Sequence, residues 1–544
     1  MPQTRRQFLA LAAKASALAL VGAPLAGLLP QAARAARIGS ASGPASGPAL
    51  LLPGASGLYG LLQPEGNLTL TVASVPGLLP ATRASMLAYT ARQGGALWYN
   101  PILVLHKGQE FRARLVNNLL EPTIIHWHGV DADWRQTGHP AYAAAPGQAY
   151  DYAFPVTNRA GTYWYHPHPH GLTAKQAYLG PASFFLVRDP EEEALSRELD
   201  LTLGVTDLPI VLQDKRFGPR GELVYAPSQD DLLMGYRGSE VLANGARQPT
   251  LSAATRIYRL RLLNGCTARL FNLAFLHRGR RLPFTLIGND GGLLDAPRTL
   301  DQVFLAQGER VELLLDLRGL KPGQAVQLVN AAFDPMHNEG MPGMEGMAGM
   351  EGMAGMDMGG PDEGAAYPIL RILVSRKEPY GRTIPARLST LPGPSGSTSL
   401  GVTGSGPRRI ELALDRQANR WTINGLSFDM NASPIVVERR APEAWEFVNA
   451  RESMPHPMHL HGYFFRVDAR RGSPEQVRQR AVDPAGRLAT DLGLKDTVLV
   501  WPGETVAVTP DFGRPDYPGE QTFLLHCHNL EHEDQGMMLN VRVL

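Results

Sequence analysis

The run His526-Cys-His-Asn-Leu-Glu-His-Glu-Asp-Gln-Gly-Met-Met538 sets two histidines on either side of one cysteine. In a β-strand successive side chains point to opposite faces, so His526 and His528 share one face and Cys527 takes the other. One tripeptide therefore reaches two places at once. Three further runs repeat the spacing: His126-Trp-His128-Gly, His166-Pro-His168 and His456-Pro-Met-His459-Leu-His461-Gly. With His532 they take ten of the chain's 15 histidines, which is too many and too regular for isolated core residues. Each His-x-His on a strand is a two-pronged ligand, and four such pairs supply more imidazoles than one tetrahedral zinc can use. Several metal ions are implied, and imidazole suits copper, which heads the divalent affinity order. On the far side of the strand, Cys527, His456, His532 and a weak axial thioether from Met537 make the donor set of a blue-copper electron-transfer site.

Working outward, short runs such as Asn67–Val72, Glu110–Val116 and Arg310–Asp316 alternate apolar with polar residues between Gly, Pro or Asn. These predict half-buried strands. With 57 Gly and 44 Pro for turns and little helical periodicity, the chain reads as all-β, built of stacked sandwiches. Composition breaks at the acidic, helix-favouring stretch 190–198 and at the Pro/Gly/Ser-rich segment 378–407 divide it into domains at 60–189, 195–377 and 408–544, with 378–407 as a linker. Residues 36–59 read as a mobile arm. Eight of the 16 methionines fall between Met336 and Met358, alternating with Gly as no packed core would. That segment reads as a low-complexity insert in the second domain.

Charge is balanced, 52 basic against 51 acidic residues, so no global field draws in nucleic acid. Two cysteines make no disulfide scaffold, and Cys266, in an apolar stretch, reads as a small buried thiol. Residues 1–35 read as a twin-arginine signal: Thr4-Arg-Arg-Gln-Phe-Leu9, an apolar run to Leu29, then Ala33-Arg-Ala35. No later stretch is apolar for the 18 or more residues of a membrane span. The expectation is a periplasmic or otherwise extracytoplasmic monomer without a stable anchor, handled by the twin-arginine translocase during export.

The four histidine motifs together resemble those of three-domain multicopper oxidases, and the likeness runs through other stretches such as Leu260-Arg-Leu-Leu-Asn-Gly265. Within that family the chain is most similar to the bacterial laccase-like branch that holds the copper-efflux (cuprous) oxidases. The resemblance implies three cupredoxin-like Greek-key β-sandwich domains and four copper ions. It assigns His456, Cys527, His532 and Met537 to a type 1 copper, and His126 and His459 to a type 2 copper. His128, His166, His168, His461, His526 and His528 fall to a type 3 pair. Four one-electron oxidations at type 1 would then reduce dioxygen to water at the other three ions. Glu533 matches a proton-relay position. The family's other relay acid, about ten residues after the first motif, has no obvious counterpart in Val130-Asp-Ala-Asp-Trp-Arg-Gln-Thr-Gly-His-Pro140. Asp131, Asp133 and an ordinary loop acid remain open there.

The resemblance also implies a substrate copper beside the type 1 site, held by Glu452 and Met454 and, from the insert, by Met350, Met353, Met356 and Asp357. Thioethers select soft cuprous ion, so cuprous oxidation is the expected activity, with some phenol oxidation. Two alternatives stand beside it: a laccase acting on phenols and aromatic amines, and a non-enzymatic copper-sequestering or envelope protein. His106, His139, His170, His277 and His337 receive no metal role, although His337 lies in the insert.

Overall fold

The computed structural model describes residues 47–79, 82, 84–338, 360–391, 406–439, 442–513 and 517–544. The signal at 1–35 and the insert residues Met350, Met353, Met356 and Asp357 lie outside these. Strands dominate, in six sheets drawn in pairs from three successive stretches of chain. The first pair spans 57–188, the second 207–376 and the third 408–543. Each pair encloses its own apolar core, such as that of Leu70, Phe111, Trp127 and Phe185 in the first and that of Trp421, Phe447, Met458 and Val541 in the third. The alternation seen in the sequence is the cause. Strand Glu110–Asn117 buries Phe111, Ala113, Leu115 and Asn117 and turns the residues between them outward.

Two segments differ from the sequence expectation. The end of the expected arm, from residue 47, is packed. Leu50 and Tyr59 are buried, Ala49 bridges to Thr250, and Gly57–Leu58 pairs with Trp98–Tyr99. The first half of the expected linker also lies against the second sheet pair. Leu388 and Ser389 are buried, the Leu388 amide donates to the Asp295 carbonyl at 2.8 Å, and the Tyr380 hydroxyl donates to the Leu199 carbonyl at 2.6 Å. A few apolar and hydrogen-bonding anchors outweigh a composition that otherwise favours a loop. Cys266 is buried and free, as read.

The acidic helix Pro190–Glu198 follows Asp189, whose side chain caps it by accepting the Glu192 amide. It delivers Glu192 into a buried ionic knot. Arg259 contacts Glu192 at 2.9 Å, Asp207 at 3.4 Å and Glu312, while Arg261 reaches Asp207 at 2.7 Å, Glu192 at 3.0 Å and Glu312 at 3.2 Å. Thr162 of the first sheet pair donates to Glu312 at 2.6 Å, which ties the first pair to the second. With Arg188, whose Nε reaches Glu192 at 3.3 Å, three guanidiniums meet three carboxylates, and such a group is tolerable in a dry interior only as a complete set. Arg259→Met should therefore cost about 3–5 kcal/mol, read from the midpoint of urea unfolding. A loss under about 1 kcal/mol would contradict this account of the knot.

Candidate metal centre

Eight histidines converge between the first and third sheet pairs. In the first, strand Ile125–His128 runs antiparallel to Gly161–Pro167 with His126 opposite His166. In the third, strand His456–Leu460 lies between Thr497–Val500 and Gln521–Cys527, which sets His459 opposite both Thr497 and His526, and Met458 opposite Cys527. The two sets interleave. His126 stacks on His461 with ring centres 3.7 Å apart, and His128 stacks on His459 at 3.8 Å. His528 closes the group, its ring 5.1 Å from His128 and 5.3 Å from His166. All eight side chains are buried.

The nitrogens are arranged for a cation. His126 donates from Nδ1 to the Thr137 carbonyl and His459 donates from Nδ1 to the Asp496 carbonyl, so both rings turn an unprotonated Nε2 inward, 3.2 Å from each other. Two lone pairs at that distance repel unless a positive charge lies between them. His166 and His526 are oriented the same way, by the carbonyls of Pro167 and Cys527. His461 Nε2 and His168 Nε2 lie 3.1 and 3.5 Å from His526 Nε2. Nε2 of His166 and both nitrogens of His528 have no protein partner although buried. Donor atoms of His126, His128 and His166, of His126, His459 and His461, and of His168, His461 and His526 fall within 4.8 Å of one another.

A second set lies on the other side of the last strand. Sγ of Cys527 is 3.5 Å from Nδ1 of His456 and 3.7 Å from Nδ1 of His532. His456 Nε2 bonds the Ser453 hydroxyl and His532 Nε2 donates to the Leu233 carbonyl, which leaves both Nδ1 atoms to face the sulfur. Trp421 packs edge-on to His456 at 4.6 Å and also donates to the Leu233 carbonyl. Met537 is fully buried in the same core, and the loop is closed by backbone bonds from Cys527 to Met537 at 3.1 Å and from Met537 to His532 at 2.9 Å. Burial pushes the Cys527 thiol far up. A thiolate forms there only with a cation to pair it.

Residues 89–192 and 402–544 each match a family described as multicopper oxidase. The chain is 30% identical over 475 residues to the multicopper oxidase mco of Staphylococcus haemolyticus, covering 86% of this chain and 88% of the relative. The chain belongs to the multicopper oxidase family. The crystal structure of the McoA multicopper oxidase of the hyperthermophile Aquifex aeolicus matches with a TM-score of 0.77 and 35% identity, over 92% of this chain and 99% of that one. The fold is accordingly the all-β, cupredoxin-like architecture of these oxidases, and the family implies copper as the cofactor. The cell division protein FtsP of Photorhabdus laumondii is also similar, 30% identical over 455 residues, covering 81% of this chain and 82% of the relative.

The acids around the multicopper oxidase cluster sort differently from one another. Glu533 sits 3.4 Å from His168 Nε2 and 3.1 Å from His526 Nδ1. Burial works to raise it, but those two imidazoles hold it down. Asp534 beside it is raised by burial, then by Glu533, and accepts the Thr173 and Ala174 amides. Asp131 bonds Thr157 at 3.3 Å and is pushed up to about 7 by burial. Asp133 is taken up by Gln521 and Arg135. A second acid that reaches the cluster, besides Glu533, is not apparent from the sequence: Asp496 lies 3.1 Å from His128 Nε2. Its neighbours in Lys495-Asp-Thr497 carry no metal-like spacing, and it is brought to the cluster by the register that pairs Thr497 with His459.

Of the substrate-site candidates, Glu452 is exposed and paired with Arg416 at 2.8 Å, and Met454 is buried in the third core. His139 is locked between the Ala141 amide and Asn540, and His170 packs on Phe428.

Burial is the main cause that lowers His126, His128, His166, His456, His459, His461 and His528 well below the ordinary value, His168 to about 4 and His532 to about 3. Folded, these rings stay neutral where the unfolded chain protonates them. Stability is therefore whole above about pH 6.5 and falls as pH drops below it, by about 1.4 kcal/mol per pH unit for each ring. Several rings together exhaust a stability of order 10 kcal/mol within about two units. The copper-free protein should thus show a melting temperature that collapses between about pH 6.5 and 4.5. A copper-free melting temperature that is flat over that range would contradict the neutral, buried cluster.

Proposed function

We propose that the protein is a four-copper oxidase that takes single electrons at the Cys527 site and delivers them to dioxygen at the histidine cluster. His456, Cys527, His532 and Met537 would hold one type 1 ion, and His126 and His459 one type 2 ion. His128, His166, His168, His461, His526 and His528 would hold two type 3 ions. The observation that carries the reading is the position of Cys527, whose sulfur faces one donor set while its neighbour His526 shares donor atoms with the other and the His528 ring packs against it. Copper bound in these sets supplies one-electron redox steps and the four-electron reduction of dioxygen to water. The chain's own residues do the rest. Carbonyls of Thr137, Pro167, Asp496 and Cys527 hold the rings in one tautomer. Glu533 holds or passes protons at its two oxygens, beside His168 Nε2 and His526 Nδ1. Trp421 and the Leu233 carbonyl keep water from the type 1 rings.

The favoured donor is cuprous ion. Supporting it, the Asn338 amide donates at 2.9 Å to the carbonyl of Ser453, whose hydroxyl bonds His456, so the Met-rich segment departs from beside the type 1 site. At its other end Glu363 meets His337 at 2.8 Å, which brings both ends of the segment together. His532 has its Nε2 spent on Leu233, so it offers no open imidazole edge to a phenol. Against it, copper at Glu452 must displace Arg416. A laccase for phenols and aromatic amines is the second reading. A copper-sequestering role requires no turnover and is separated from the oxidase by oxygen uptake, whereas the complete donor sets argue against a copper-free role like that implied by the name of the FtsP relative. The arginine pair and apolar run of residues 1–35 support twin-arginine export to the periplasm, and no helix among the described residues is long and apolar enough to cross a membrane.

Oxygen uptake with cuprous ion and with a phenol, in the parent and in a variant lacking residues 336–358, tests the donor. The deletion should cut cuprous oxidation by about tenfold or more and leave phenol oxidation equal or faster. Unchanged rates with both donors would remove the cuprous assignment, and a colourless parent that takes up no oxygen would remove the oxidase.

A further inference from the structure

The second sheet pair contributes none of the ten clustered histidines, yet it reaches the cluster through Arg310. That side chain is fully buried at the start of strand Arg310–Asp316. All five of its N–H groups are spent: Nε on the Thr162 carbonyl, Nη1 on the Gly308 carbonyl and Asp496 Oδ1, and Nη2 on the Asp290 carbonyl and Asp496 Oδ2. The fork on Asp496 is tight, 2.8 and 2.6 Å. Thr497 donates to the same Oδ1 at 2.8 Å, and that oxygen lies 3.1 Å from Nε2 of His128.

The consequence is an inverted ring. His126, His166, His459 and His526 donate from Nδ1 and turn Nε2 inward. His128 has its Nε2 on Asp496 and its buried Nδ1 without a partner. A carboxylate accepts only, so the proton sits on Nε2 and the lone pair on Nδ1. Asp496 itself is a poor metal ligand, although it lies near the ring nitrogens of His128 and His459, because both its oxygens face a guanidinium whose charge repels a cation. We propose that Arg310 is a positioning residue of the cluster: by clamping Asp496 it makes His128 present Nδ1 rather than Nε2 to the type 3 pair. The proposal rests on the copper assignment given above.

Two glycines show how closely the parts approach. A Cβ on Gly129, at φ +77°, would stand 2.5 Å from Asp496 Oδ2 and 2.9 Å from Arg310 Nη2. One on Gly308, at φ +82°, would stand 2.8 Å from the His528 ring. The first sheet pair is fitted around this fork, and the second abuts the cluster at His528.

The test uses copper-loaded full-length Arg310→Lys, which keeps the charge and loses the planar fork. The control is Arg470→Lys, a buried fork on Asp491 at 2.7 and 3.0 Å that touches no clustered histidine. Copper per chain, the blue absorption of the Cys527 site, the electron paramagnetic resonance of the cluster, and the rate of reoxidation by dioxygen after full reduction are compared. Arg310→Lys should keep the blue absorption while its resonance spectrum changes and reoxidation slows about tenfold or more. Arg470→Lys should lose thermal stability and keep both cluster readouts within about twofold. An Arg310→Lys protein with the parent's copper count, resonance and reoxidation rate overturns the proposal. If that variant does not accumulate, Asp496→Asn takes its place under the same criteria, because an amide facing the fork breaks the same clamp. A parent without copper would sink the copper assignment and this proposal together, whereas a copper-replete parent with an indifferent Arg310→Lys sinks this proposal alone.

Discussion

Two unprotonated imidazole nitrogens, on His126 and His459, face each other 3.2 Å apart in a volume closed to water. The arrangement is unfavourable by itself, and most of the surrounding structure acts to enforce it. Backbone carbonyls fix the tautomers, stacked rings fix the planes, and the sheets of the first and third stretches hold the two halves in register. Neutral rings are what burial permits without a cation. A cation converts each repulsion into a bond, so the energy spent on burying the rings becomes affinity for the metal. The same logic holds at Cys527, where a buried thiol stays protonated until a cation pairs with it.

Strand alternation links the two sites. Because Cys527 points away from its neighbours, the Cys527 donor set and the histidine cluster are separated by the thickness of one strand and joined by its covalent backbone. The ladder partner repeats the arrangement: His456 serves the Cys527 site, while His459 and His461 serve the cluster. The second sheet pair supplies enclosure instead of ligands. Leu233 covers His532, Gly308 abuts His528, and Arg310 reaches through to Asp496.

The clustering of the histidines was legible in the sequence because a two-residue period on a strand puts them on one face. The sandwiches were legible for the same reason, as at Phe111, Ala113 and Leu115. What escaped were residues whose roles come from distant contacts. Asp496 and Arg310 are 186 positions apart, and neither carries a local pattern that sets it apart from an ordinary surface charge. Thr137 acts through its carbonyl, which is blind to residue type, while Asp131 and Asp133, the acids that follow the first motif, bond elsewhere. The segment 378–391 escaped because two anchors, Tyr380 and Leu388, outweigh a loop-like composition.

The central claim is that one strand serves two separate copper sets through Cys527. Metal analysis with electron paramagnetic resonance of Cys527→Ser tests it most directly. The account predicts loss of the blue colour and of one copper per chain, retention of the cluster's copper and its resonance, and no oxygen turnover. A Cys527→Ser protein that stays blue, or that loses the cluster's copper while keeping its fold, would contradict it.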